Sequence, residues 1–194
     1  SDLEITDLIV AETRRILTLL EQVEQFGNLK QIAPKPLNIH DVKDRARRSA
    51  QLGFSAHINF KEDYDPSLPL VYGDPDQLLQ VFLNLIKNAS EAQPNNGNIK
   101  LRTYFEHSFK LRRADGSGHS LPSQVEGSDN GPGVSEDIRD EIFDPFVSGR
   151  NNGTGLGLAL TSKIISDHSG LISLDSKPGN TVFRISLPFV TKLN

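Results

Sequence analysis

In the stretch "DPDQLLQVFLNLIKNASEAQP" (residues 74–94) apolar side chains fall on nearly every side of a helix: Leu78, Leu79, Val81, Phe82, Leu83, Leu85, Ile86 and Ala89. Asp74 stands where an N-cap is needed, Pro75 takes the first helical position, and Gln77 is placed to complete a capping box. Pro94 ends the run. A helix this apolar belongs inside a folded domain. Yet Gln77, Gln80, Asn84, Lys87, Asn88 and Glu91 recur at spacings of three and four, which puts them in one polar stripe. Buried amides must be paired or line a site. The two asparagines are poor helix formers, so the stripe is expected to face a cleft.

Working outward, residues 2–27 carry a heptad-like seam (Ile9, Ile16, Val23 and Ile5, Leu19, Phe26), widened by Leu8, Leu17 and Leu20. So wide an apolar face needs a partner, as a bundle helix does. Gly27 and Asn28 stop that helix, and residues 30–37 read as a linker. Asn38 caps a second helix that runs to Leu52 and Gly53. Strands are expected at 57–62, 98–106 and 121–128, with an extended polar loop at 107–120 between the last two. Short-helix and loop material fills 135–152, an apolar helix follows at 155–168, and "LISLDS" and "TVFRISLP" form a closing hairpin. Mixed helices and strands with hairpins in the second half predict an α/β two-layer sandwich with a mixed sheet, preceded by one long helix.

Composition removes several alternatives. The net charge of −4 argues against a nucleic-acid surface. Lys43, Arg45, Arg47 and Arg48 alternate with Asp41 and Asp44 and read as a solvated helix face. Without cysteine there are no disulfides and no thiol nucleophile. No run reaches membrane-spanning length and no signal peptide is visible, which points to a cytoplasmic location. The chain lacks methionine and begins at Ser1, so it reads as a piece of a longer protein.

Two further stretches carry chemistry. "DNGPGV" (129–134) sets an acid at a strand end beside glycines, where a carboxylate can accept the exocyclic amino proton of adenine. Read alone, the stretch is better taken as a plain glycine-proline turn. "NNGTGLGLAL" (151–160) opens a helix with alternating glycines, whose N–H groups can receive phosphate oxygens. A dinucleotide fold would need a strand immediately before them. What precedes them is the polar loop "SGRNN".

The order "NLIKNASEA", "DNGPGV", "IFDPFVSGR", "GTGLGLAL" resembles the N, G1, F and G2 boxes of the two-component sensor histidine kinases. These belong to the ATP-binding superfamily that includes gyrase, the Hsp90 chaperones and MutL. "YDPSLP" and "VSGRNNGTGLGLAL" are most similar to the NtrB-type kinases of nitrogen regulation.

The resemblance implies ATP and Mg²⁺ as ligands, with Asn88 as the magnesium ligand and Asn84 one turn nearer the phosphates. It makes Asp129 the adenine-selecting acid, with Gly131 and Gly133 beside the ring. Phe143 and Phe146 become lid anchors, Arg150 a contact for the γ-phosphate, and Gly153, Thr154, Gly155, Leu156 and Gly157 the phosphate turn. Thr181 lies near the base. Lys87 is a weaker phosphate candidate, because many relatives carry their lysine where this chain has Glu91. Hydrolysing relatives have Glu at position 84; Asn84 cannot act as a general base, which favours holding ATP for transfer.

The same resemblance divides the chain into 1–29, the second helix of a dimerisation and phosphotransfer bundle; 30–37, a linker; 38–190, the catalytic domain; and 191–194, a tail. The implied partners are an NtrC-like response regulator, a PII-type signalling protein and the chain's own dimerisation domain. None of His40, His57, His107, His119 and His168 has the sequence setting of an acceptor, so the acceptor is expected upstream. A nucleotide-dependent binding module without kinase activity is the rival reading. One departure stands out: in "QVEGSDNG" Gly127 takes the place of a core-facing residue beside Asp129. It is expected to leave a core contact unfilled, the alternative being a bulge with positive φ.

Overall fold

The computed structural model describes residues 2–27, 31–112, 118–150 and 153–190. Asn28, Asn151, Asn152 and the tail 191–194 therefore lie outside the described residues. The chain runs α1 (Asp2–Gly27), β1 (Lys35–Leu37), α2 (Ile39–Leu52), β2 (Asn59–Asp63), β3 (Val71–Gly73), α3 (Pro75–Glu91) and β4 (Asn98–Phe105). It continues through β5 (Lys110–Arg112), β6 (Gly118–Ser120), β7 (Ser123–Asp129), α4 (Glu136–Arg139), α5 (Gly157–Asp167), β8 (Leu171–Lys177) and β9 (Asn180–Leu187). The main sheet has the order β2-β4-β7-β9-β8; only β2 and β4 are parallel. Helices α2, α3 and α5 pack side by side, giving the expected two-layer α/β sandwich.

Two short pairings escaped the pattern reading. β1 pairs antiparallel with β3, so Lys35–Leu37 belongs to a strand within the stretch read as linker. The polar 107–120 region contributes the β5–β6 ladder. Three-residue strands are too short to show a period.

The Asn38 and Asp74 side-chain caps hold, but the capping box is not completed, because the Asp74 N–H goes to His168 and not to Gln77. The Asn38 side chain accepts from the His40 N–H at 3.0 Å. Asp74 accepts from the N–H groups of Asp76 and Gln77 at 3.0 and 3.2 Å. A further clasp aligns α3 with α5. The Asp74 N–H donates to Nε2 of buried His168 at 2.9 Å, and Nδ1 of His168 donates to the Ile164 carbonyl at 2.7 Å. His168 is thus the neutral Nδ1–H tautomer. Its ring presses on Gly73, where a Cβ would stand 2.7 Å from Leu78 Cδ1 and 3.0 Å from the ring.

Helix α1 behaves differently. Ile5, Leu8, Ile9, Val10, Ile16, Leu17, Leu20 and Val23 are all exposed, and only Phe26 packs against the core. The apolar seam is not covered by the rest of the described chain.

One expectation on α2 is overturned. Arg45 and Arg48 are solvated, but Lys43 is 1% exposed. Lys43 follows Ile39 by four residues and precedes Ala46 and Ala50 by three and seven, so it shares their buried face. Its Nζ has no hydrogen-bond acceptor among the described residues and lies 3.7 Å from the Tyr64 ring centroid. Desolvation pulls the amine from 10.5 down to about 7, against the raising influence of Asp44, Glu62 and Asp63. Between those two values the unfolded chain binds more protons than the native one, so stability rises with pH there and the deficit is complete below the native value. Lys43→Met is expected to stabilise the domain by a few kcal/mol at pH 7, the ~4–5 kcal/mol linkage term less the lost cation–π contact. Denaturant melts across pH should show that advantage shrinking towards pH ~10.5.

Gly127 sits in an unbroken ladder, opposite Leu101 on β4 and Phe183 on β9, and its φ lies outside the left-handed region. There is no bulge. An added Cβ would meet only Leu101 Cδ2, at 3.9 Å. A void of about 20 Å³ adjoins the position, lined by Phe82, Leu85, Val125 and Phe183 among others. Gly127→Ala should therefore stabilise the fold by about 1 kcal/mol, raising the melting temperature by roughly 2–4 °C. A lower melting temperature would contradict this packing account.

Candidate functional site

A cleft of about 530 Å³ opens between α3, the end of β7, α4 and the start of α5. Asn84, Lys87, Asn88 and Glu91 line it, so the last two turns of the polar stripe face a cleft as expected. Gln77 and Gln80 are not on its wall. α3 is 17 residues long, about 25 Å, and the cleft covers only its C-terminal part.

Asp129 closes one end. It is 8% exposed, and Oδ1 accepts from the Gly131 N–H at 2.8 Å. Burial raises its carboxyl above the ordinary value, while the Gly131 N–H and the Arg150 charge pull it back. Opposite it in the ladder stands buried Thr181. Gly133 has φ +87°, and a Cβ there would meet the Lys177 and Pro178 backbone at 3.0–3.1 Å. Its glycine thus admits the β8–β9 turn as much as any ligand.

Gly153, Thr154, Gly155 and Gly157 form the other end, and Arg150 lies on the wall between. Gly155 has φ +69° and would drive a Cβ into the Phe146 backbone. The Phe146 N–H donates to the Gly155 carbonyl at 3.0 Å, so the loop before the glycines is stitched to them. α5 starts at Gly157 with no side-chain cap, and open space surrounds the position a Gly157 Cβ would take. Free N–H groups of a helix start facing a polar cleft suit an anion. The Asn84 side-chain amide donates to the Gly157 carbonyl at 3.3 Å, joining α3 to α5.

Four of the expected residues are not on the cleft wall. Gly131 borders a neighbouring shallow groove with Asn130 and Pro132, and its missing Cβ lets the Asp129 carboxylate approach. Phe143 packs on the core with its ring edge-on to Phe183, 6.3 Å away, as an anchor would. Phe146 is instead 69% exposed; its backbone, not its ring, makes the contact. Leu156 is buried and packs beneath the turn.

Thr18 and Gln22, which reach the cleft from α1, sit in no recognisable motif. Thr154 Oγ1 donates to the Gln22 side-chain carbonyl. Of the histidines, His40 stacks on Tyr64 and bonds Thr103, His57 bonds the Gln93 carbonyl, His107 packs edge-on to Phe105, and His168 is the buried clasp. The His119 side chain lies outside the described residues. No group of three or more His, Asp or Glu with metal-holding geometry occurs among the described residues, and no helix among them is long and apolar enough to cross a membrane.

The cleft, with a buried carboxylate at one end and the glycines that open α5 at the other, belongs to a chain with clear relatives. Residues 73–191 match the family described as "Histidine kinase-, DNA gyrase B-, and HSP90-like ATPase", and the chain belongs to that family. It is 65% identical to the sensory histidine kinase/phosphatase NtrB of Rhodobacter capsulatus, over 98% of this chain and 54% of that protein. It is 47% identical to NtrB of Azospirillum brasilense, over 97% of this chain and 48% of that one. The chain thus spans about half the length of these curated relatives. Among solved structures, the mycobacterial sensor histidine kinase MprB superposes with TM-score 0.66 at 25% identity, over 80% of this chain and 97% of that one. Full-length ShkA, solved in complex with AMPPNP, shares the fold at TM-score 0.75 and 22% identity, over 100% of this chain and 40% of that one.

Asp129→Asn replaces a pure acceptor with an amide that also donates. ADP affinity measured by calorimetry should fall about tenfold to hundredfold, the worth of one charge-assisted bond. If Asp129 receives an adenine amino group, its ionised carboxylate is the stronger acceptor. Affinity should therefore be full above the raised Asp129 value and fall as pH drops through it. The Asn variant should lack that acid limb.

Proposed function

We propose that the chain is the ATP-binding, phosphoryl-donating part of an NtrB-like histidine kinase. The observation that carries this is the pairing, within one cleft, of buried Asp129 at the base end with the uncapped α5 start at the phosphate end. Asn84 and Asn88 stand between them.

In this reading adenine donates its amino proton to Asp129 with Thr181 alongside, Gly133 borders the ring, and Gly131 shapes the acid. Phosphate oxygens accept from the N–H groups of the Gly153–Gly157 turn, with Lys87 and Arg150 as counter-charges. The donor set suits magnesium: one neutral amide oxygen, from Asn88, with the remaining positions left to phosphate and water. Bound there, the ion supplies charge neutralisation at the phosphates. Asn84 is neutral and already tied to the Gly157 carbonyl, so that position supplies no carboxylate base to activate water. That favours transfer over hydrolysis.

The recipient is a histidine on a dimerisation helix outside this chain, and the relay continues to an NtrC-like response regulator in the cytoplasm. A PII-type protein is the regulatory partner. The exposed apolar seam of α1 supports residues 1–29 as part of a homodimerising bundle. Residues 30–37 connect it to the catalytic domain at 38–190.

Mixing the chain with a fragment carrying the acceptor histidine and γ-labelled ATP should give acid-labile, base-stable label on that fragment. Tight ATP binding without label would leave the nucleotide-dependent binding module as the better account. Asn88→Ala should retain ADP binding without metal and abolish the strengthening of ATP binding by Mg²⁺. A full magnesium response in that variant would place the ion elsewhere.

A further inference from the structure

Glu91, the last residue of α3, gathers the cations of the cleft. Arg150 Nη1 is ion-paired to its carboxylate, and Lys87 Nζ lies 3.9 Å from its other oxygen. Arg150 Nη2 donates to the Asn88 carbonyl at 2.5 Å, so the guanidinium is held at the end of α3 by two contacts. Both positive side chains described above as phosphate counter-charges therefore face the same carboxylate.

We infer that Glu91 sets the balance between triphosphate and diphosphate in this cleft, by holding Lys87 and Arg150 until a terminal phosphate takes them. The inference rests on the nucleotide reading above. Glu91 and Arg150 are 48% and 39% exposed in their side chains, and exposed pairs are weak. A phosphate, with more charge and more acceptor oxygens, draws the guanidinium away at small cost. That cost falls on the nucleotide whose terminal group reaches Arg150. A diphosphate stops short and leaves the pair intact. The Glu91 carboxylate also remains beside the cleft, where it repels the more highly charged ligand more strongly. Both effects press in the same direction, against the triphosphate.

Calorimetric titration of the intact chain with ATP and with ADP, each with Mg²⁺, tests this in the parent, Glu91→Gln and Glu91→Asp. Glu91→Gln should tighten ATP about fivefold and alter ADP less than twofold. Glu91→Asp, which keeps the charge, should hold the parental ratio, and raised salt should narrow the gap between parent and Gln variant. An unchanged ATP-to-ADP ratio in Glu91→Gln would overturn the inference. So would weakened ATP binding, which would mean that Glu91 pre-orients Arg150 for the phosphate. An Asp variant that behaves like Gln would show that charge is not the cause. If the parent bound neither nucleotide, the nucleotide reading itself would fall, and this inference with it.

Discussion

The apolar face of α3 has to be kept from water while Asn84, Lys87, Asn88 and Glu91 of the same helix stay at an open cleft. Leu78, Val81, Phe82, Leu85 and Ile86 are buried, each contributing on the order of 1.5–3 kcal/mol by removal from water. That burial needs the sheet below and α2 and α5 on either side. The helix has little freedom to rotate, because a turn of one residue would push asparagines into the core. The Asp74 cap and the His168 clasp fix its start, and Asn84 ties its middle to α5. The cleft is the gap left where the sandwich stops covering α3.

Its two ends are made by different physics. The acid end is ladder geometry: Asp129 is the last residue of a central strand, set beside Thr181 by register. A position in a paired strand is rigid, which suits discrimination between bases. Among the described residues the glycine end is held by the backbone bond between Phe146 and Gly155, the Asn84 bond to the Gly157 carbonyl and a side-chain contact to α1. It is joined to the rest by few bonds, which suits a loop that has to receive ligands of different length.

How much of this was legible in the residues varies with the length of the pattern. α3, with its Asp-Pro start and long apolar run, and the closing hairpin were readable because period and punctuation agree. β1, β3, β5 and β6 carry three residues each and offer no period to read. Lys43 misled because charge is normally a sign of solvent; its placement on the Ile39–Ala46 face was visible only through helical spacing. Phe146 meets the glycine turn through its backbone and not its ring, and a backbone bond leaves no mark on side-chain type. Gln22 reaches Thr154 through the way α1 lies on the domain, which no local signal encodes.

The register that sets Asp129 beside Thr181 also dictates an order of biosynthesis. β9 is the last strand of the main sheet, yet it lies inside it, between β7 and β8. Until β9 has left the ribosome and inserted, β7 presents one bare edge, the form of strand most prone to pair with a neighbouring chain. During that interval the acid, the asparagines and the glycine turn already exist as polypeptide, but the acid end of the cleft lacks its second wall. A ligand that needs both walls stabilises only the finished domain. A ligand seated between these walls would thereby favour chains that have completed their last hairpin over those that have not.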